Sequence, residues 1–205
     1  MLLSEIEIAR RLADPVESNR LTVTPILDAK EQFGPSSIDV RLGTDFRRLE
    51  NINRSQVALN EGFHNEEEAY TKRVLLSADQ RFYLHPGEFV LASTLEYFKL
   101  PDNLAARIEG RSSWGRLGLL VHATAGFVDP GFAGALTFEL SNAGRLPIEL
   151  RPGLRIGQIC FFSMSRRSLI PYGAKHRAKY WGATGLQISR AHTDPEVRGR
   201  QRKPQ

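Results

Sequence analysis

One cysteine, Cys160, among 205 residues leaves no internal disulfide possible and points to a reducing compartment, the cytoplasm. No apolar run approaches the ~20 residues of a membrane span, so no membrane partner is expected. The N-terminus, MLLSEIEIARRLAD, has an acid at position 5 and lacks the small-residue cleavage site of a signal peptide. There is no internal repeat and no low-complexity tract. Disorder is excluded as well, because 41% of the residues are hydrophobic and 25% charged. The length suits one domain with a substantial core.

The net charge of +5 raises the question of nucleic acid, and its distribution answers it. Residues 189–205 hold Arg190, Arg198, Arg200, Arg202 and Lys203 against Asp194 and Glu196, so this stretch supplies +3 of the +5. It has no apolar periodicity and reads as a basic, flexible, solubilising tail following a domain of residues 1–188. No nucleic-acid partner is expected.

Ser4 followed by Glu7 is a capping-box pattern ahead of Ile8, Ala9 and Leu12, which predicts one short N-terminal helix. Residues 35–47 alternate in the manner of a strand. Residues 48–70 are polar and read as a loop with at most a helical turn. Strand-like runs then recur at 81–84, 89–94, 105–109, 135–140, 148–150 and 157–162. Pro-Gly turns at 85–87, 129–131 and 151–153 punctuate them. The pattern is that of a mainly β sandwich or barrel.

Residues 109–139 carry the chemistry. Between Glu109 and Gly118 lie Arg111, Arg116, Ser112, Ser113 and three glycines. Guanidinium donors with small residues that let backbone N–H groups approach are what a polyphosphate requires. A second Gly-rich turn bearing Asp129 follows, and then Glu139 in the otherwise apolar run ALTFEL. A phosphate cradle close to an acid with no packing role suggests nucleotide chemistry.

Five blocks in order resemble the dCTP deaminase branch of the trimeric dUTPase superfamily: PSSIDVRLG at 35–43, EGRSSWGR at 109–116, TAGFVDPGFAG at 124–134, RPGLRIGQ at 151–158 and KYWGATG at 179–185. The second and third are the specific ones, and the similarity runs to about residue 190. The resemblance implies a dUTPase-like distorted β-barrel or jelly-roll with a short N-terminal helix, and a homotrimer with sites at subunit contacts. It implies dCTP as substrate, dTTP as a possible feedback inhibitor, and Mg²⁺ carried by the triphosphate in place of a dedicated protein cage.

Deaminating cytosine requires water to attack carbon 4 and a proton to reach the ring and the departing ammonia. The zinc solution uses H-x-E…P-C-x-x-C. His64-Asn-Glu66 matches the first half, but Cys160 stands alone, so a zinc-free route is expected. The resemblance makes Glu139 the catalytic general base and acid, with desolvation by its apolar strand raising its pKa. It implies that the Ala125 carbonyl, Ser112 and Arg116 hold the water and ring, and that Asp129 contacts the deoxyribose hydroxyl. Thr137 and Phe138 present backbone groups to the base. Gln158 meets the phosphates with Arg111, Ser113, Trp114 and Gly115 of the cradle, and Tyr172 and Lys179 close over them. Gly126 and Phe127 occupy the pair that distinguishes enzymes going on to dUMP, since Gly126 removes a side chain beside the ring.

Three residues depart from the family pattern. Ala183 stands where Gln is common, so the lid grips less tightly or Trp181 or Gln187 compensates. Trp114 replaces a usual Leu, and Arg111 replaces a frequent Lys. Coupled conversion of dCTP to dUMP, ammonia and diphosphate is the favoured reading. A monofunctional deaminase releasing dUTP, a dUTP pyrophosphatase and a non-catalytic nucleotide sensor remain alternatives.

Overall fold

Ser4 starts the first helix as its spacing predicts. Its backbone is extended and its Oγ accepts the N–H of Glu7 at 3.4 Å, capping α1, Glu5–Leu12. Glu5 and Glu7 lie at the positive end of the helix dipole and Arg10 and Arg11 at the negative end, while Ile8 is fully buried. The computed structural model describes residues 1–50 and 71–198. Most of the polar stretch read as a loop, residues 51–70, lies outside the described residues.

A second short helix, α2 (Ala29–Gln32), is capped by Asp28. The remaining architecture is β: β1 (Thr22–Thr24), β2 (Ser37–Leu49), β3 (Thr71–Leu75), β4 (Phe82–Leu84), β5 (Phe89–Lys99), β6 (Leu104–Gly110), β7 (Leu119–Leu120), β8 (Phe127–Val128), β9 (Ala133–Asn142), β10 (Ile148–Leu150) and β11 (Arg155–Ser163). All six predicted later strands are present. β2 extends to Leu49, two residues into the expected loop, because Arg48 and Leu49 pair with β3.

The main sheet runs β7-β9-β5-β2-β11-β6-β8, with β1 on β5 and β3 on β2; β4 and β10 form a separate pair. Every pairing is antiparallel, and the main sheet curls into a half-barrel. Alternation along β2, β5, β9 and β11 directs Phe46, Phe98, Phe138 and Phe161 inward, each fully buried. Phe46 stacks on Phe82 with ring centroids 5.0 Å apart. Fully burying a side chain of this kind contributes about 1.5–3 kcal/mol.

One irregularity shapes the region around the cavity. Ser93 faces Thr137, yet Tyr97 faces Ala135, so β5 bulges there against β9. The bulge buries Glu96 completely, and its carboxylate accepts from the Arg41 backbone N–H at 2.8 Å and from Gln32 Nε2 at 3.3 Å. Burial pushes the Glu96 carboxyl above its usual range, opposed by the Arg41 N–H and guanidinium. Thr94 Oγ1 donates to the Glu96 carbonyl at 2.7 Å and accepts from Leu136 N at 2.9 Å, which pins β9 beside Thr137.

Residues 189–198, the start of the segment read as a tail, fold back on the domain as a 3₁₀ turn, Ala191–Thr193, and a final helical turn, Pro195–Arg198. Residues 199–205 lie outside the described residues. Among the described residues no helix is long and apolar enough to cross a membrane.

Candidate active site

A cavity of about 540 Å³ opens beside β9. Its polar lining includes Asp129, Thr137, Glu139 and Tyr172, and its apolar wall includes Ile108, Phe127 and Leu136. The loop between β7 and β8 forms one rim through Ala125. The C-terminal strap forms another through Tyr180, Gln187 and Ser189.

Glu139 is half-buried. Period-2 alternation sends its neighbours Phe138 and Leu140 into the core and turns Glu139, with Thr137, towards the cavity. The apolar run around Glu139 therefore packs on the opposite face, and the carboxylate is less enclosed than its sequence context implies. One carboxylate oxygen accepts the Ala123 N–H at 2.9 Å, and the Glu139 N–H donates to Val121 O at 3.0 Å. The Ala123 N–H thus orients the carboxylate, while the Val121 bond fixes the backbone of Glu139 against the same loop. Because the Glu139 N–H points away from β5, alternation also directs the Thr137 backbone away from β5 and the Phe138 backbone into the ladder. The ring of Phe138 is fully buried, so Thr137 and Glu139 line the cavity and Phe138 serves as core.

The same loop explains Gly126, which is buried behind Ala125 and Phe127. A Cβ at this position would lie 3.0 Å from Ile108 O and 3.2 Å from His122 Nε2. The Gly126 carbonyl accepts from Ile108 N at 2.8 Å, so the backbone has little room to retreat. His122 Nε2 stands 3.6 Å from Glu109, which also pairs with Arg107 at 2.6 Å. Gly126→His must therefore displace the rim that carries Ala125 and Phe127. If Gly126 selects the product, as the family resemblance implies, the expected result is accumulation of dUTP from dCTP, read by chromatography of the products. Equal loss of ring and phosphate steps would show that Gly126 does not select the product.

The second block lies outside the cavity wall. Ser112–Gly115 form a single helical turn, α3, in which Ser112, Ser113 and Gly115 are exposed, as is Arg116 just beyond it. Trp114 packs against the core and its Nε1 donates to Arg155 O at 3.0 Å. Arg111 donates to the same carbonyl at 2.9 Å and pairs with Asp39 at 3.1 Å. Gln158 bridges Gly110 O, at 3.3 Å, and Ser37 Oγ, at 3.0 Å. Asp39 sits between Arg111 and Arg155, and desolvation nevertheless pushes its carboxyl above the ordinary range. None of these residues lines the cavity, and Arg116 makes no side-chain bond to a described residue.

The strap completes the picture. Gly131 has a positive φ of 79°, and a Cβ there would meet Pro171 at 2.5 Å, so the Asp129-Pro130-Gly131 turn and Tyr172 pack closely. Tyr172 N donates to Pro130 O at 2.8 Å, and Tyr172 Oη accepts from Tyr180 N at 3.2 Å. Ala183 bonds alongside Gly134 and Ala135. Gln187, whose N–H reaches Thr137 Oγ1 at 3.3 Å, borders the cavity, whereas Trp181 packs outside on Gly173 and is 56% exposed. Lys179 is not in the cavity wall; it pairs with Asp194 at 2.6 Å. Reading the sequence alone missed Ala123 N, Leu91, Ile108 and Tyr180. The backbone donor has no side-chain signature, and the others look like ordinary strand and loop residues.

The dCTP deaminase-like family model matches residues 2–164. A protein of Methanosphaera stadtmanae named "dCTP deaminase, dUMP-forming" is 42% identical over 198 residues, covering 96% of each chain. One of Beutenbergia cavernae with the same name is 47% identical over 193 residues, 94% of this chain and 95% of that one. A Natronomonas pharaonis protein named "dCTP deaminase" is 41% identical over 201 residues, 98% of this chain and all of that one. The crystal structure of a 2'-deoxycytidine 5'-triphosphate deaminase from Agrobacterium tumefaciens superposes with a TM-score of 0.58 at 27% identity. That match spans 78% of this chain and 47% of the longer one. With its sequence matched almost end to end and its sheet shared, this chain belongs to the dCTP deaminase-like family.

Proposed function

We propose that the protein converts dCTP and two waters to dUMP, ammonia and diphosphate. The observation that carries this is Glu139, turned out of the core into a cavity and held by the Ala123 N–H. From that position it takes a proton from the water attacking carbon 4, then passes protons to the ring and the leaving ammonia. Asp129 and Tyr172 border the deoxyribose, and Thr137 offers outward backbone groups to the base. Gly126 and Phe127 shape the rim where a second water reaches the α-phosphate.

Among the described residues no Lys or Arg lines the cavity to meet a triphosphate, while Ser112, Ser113 and Arg116 stand exposed without an acid to serve. A homotrimer in which this turn faces the neighbour's cavity supplies both halves. Arg111 and Gln158 then hold the turn in shape from behind. dTTP shares the sugar and the triphosphate and competes for the same site. The cytoplasm is the compartment that fits a lone thiol.

The residues present do not suit a protein-built metal cage: among the described residues no three His, Cys, Asp or Glu side chains gather to hold an ion. Cys160 is half-buried on β11, and burial pushes its thiol up, away from the thiolate that binds metal. Mg²⁺ fits as an ion borne by the phosphates, where it offsets their charge. Turnover is expected to survive zinc-selective chelators and to fall when Mg²⁺ is withdrawn; stoichiometric zinc lost together with activity would overturn this.

Incubation with dCTP and Mg²⁺, with the products separated, tests the whole proposal. dUMP supports it, dUTP as final product leaves a monofunctional deaminase, and hydrolysis of dUTP without dCTP turnover leaves a pyrophosphatase.

A further inference from the structure

The strap ends in a contact that the reaction does not require. Lys179 Nζ lies 2.6 Å from Asp194 Oδ1, with the two side chains 24% and 40% exposed. Between them the chain folds back on itself. Arg190 donates to the Lys179 carbonyl, its backbone N–H reaches Tyr180 Oη at 3.1 Å, and its guanidinium lies over the Tyr180 ring at 5.8 Å. Arg190 Nη2 also holds Gln187 Oε1 at 3.0 Å. Tyr180 and Gln187 both border the cavity. Lys179 itself is outside the cavity wall, but it immediately precedes Tyr180 of that wall, and its ammonium already carries a carboxylate.

We propose that Asp194 is an internal competitor for the substrate's phosphates: its carboxylate occupies Lys179 and gives way when a triphosphate enters, so the residue sets how tightly the strap closes. The proposal rests on the reading of Lys179 as a phosphate ligand. A carboxylate and a phosphate oxygen are both anionic acceptors for one ammonium, and Lys, as a point charge on a flexible stem, exchanges one for the other by rotation. The Arg190 clasp keeps the backbone of 179–180 in place, so exchange needs no refolding of the strap. An exposed pair of this kind can withhold about two- to fivefold in affinity.

A structural role and a competing role predict opposite signs. If Asp194 only braces the strap, Asp194→Asn loosens it and weakens binding. If it competes, Asp194→Asn frees Lys179. The expected result is a KM for dCTP lower by about two- to fivefold with kcat held. Calorimetry should show a matching gain in affinity for inorganic triphosphate with Mg²⁺. Lys179→Ala should weaken both, and adding Asp194→Asn to it should change neither. The inorganic probe separates this proposal from the assigned reaction. Should dCTP not turn over while triphosphate affinity still rises in Asp194→Asn and falls in Lys179→Ala, the competitor stands and the reaction assignment fails. Unchanged or weakened triphosphate binding in Asp194→Asn, or no triphosphate binding by the wild type, overturns the competitor whatever the turnover.

Discussion

Glu139→Gln is expected to abolish ammonia release while leaving nucleotide binding intact. The amide is the same size, so it still fills the position between Ala123 N and the cavity, and its oxygen can still accept the backbone bond now made at 2.9 Å. It cannot take a proton from water. General acid–base groups contribute ~10²–10⁴-fold, and in the proposed mechanism Glu139 serves at more than one proton transfer, so the loss should be at least that large. The check is a stopped assay of ammonia from dCTP beside calorimetry of dCTP binding. Ammonia release within tenfold of wild type would remove Glu139 from the mechanism. Because the side chain is half-buried and faces away from the core, the melting temperature should stay close to wild type, which separates lost chemistry from lost fold.

Arg116→Ala is expected to have the second-largest effect, on binding and turnover together. Within one protomer this guanidinium is exposed and has no acid partner among the described residues, so its removal should cost the isolated fold nothing. In a trimer that presents it to the neighbour's cavity, it becomes one partner of a desolvated charge-assisted contact. Truncating such a partner costs about 2–5 kcal/mol, roughly 30- to 4,000-fold in kcat/KM. Unchanged dCTP affinity by calorimetry would count against the cradle. The shared site has a sharper test. Trimers reassembled from Arg116→Ala and Glu139→Gln protomers should regain activity that neither homotrimer has, because some sites then combine an intact turn with an intact carboxylate. No recovery on mixing would place both residues in one protomer's site.

Much of the fold was legible from local rules. Ser4 and Glu7 announce α1 because a cap is a short-range hydrogen bond written in adjacent residues. The Pro-Gly turns mark strand ends because Gly87, Gly131 and Gly153 all take a positive φ. The strands of the second half follow from alternation between those turns. The bulge at residues 93–97 has no such mark: no local pattern singles out Glu96, and only the arrival of Arg41 and Gln32 from distant elements permits its burial.

By itself the sequence determined the family and the mainly β class, singled out Glu139 as a candidate, and left a single cysteine where a zinc set needs more, since these rest on residue identity and spacing. Which residues share a site was decided by tertiary structure alone. Strand period turned Glu139 and Thr137 to the cavity and Phe138 to the core, although the three are consecutive. The path of the chain after β6 left Ser112, Ser113 and Arg116 exposed and outside the wall of the Glu139 cavity. The fold-back of residues 189–198 gave Lys179 a carboxylate partner where a phosphate was expected. Position along the chain does not fix direction in space; packing of distant elements does, and it leaves Ser112, Ser113 and Arg116 out of the wall of the cavity that Glu139 borders.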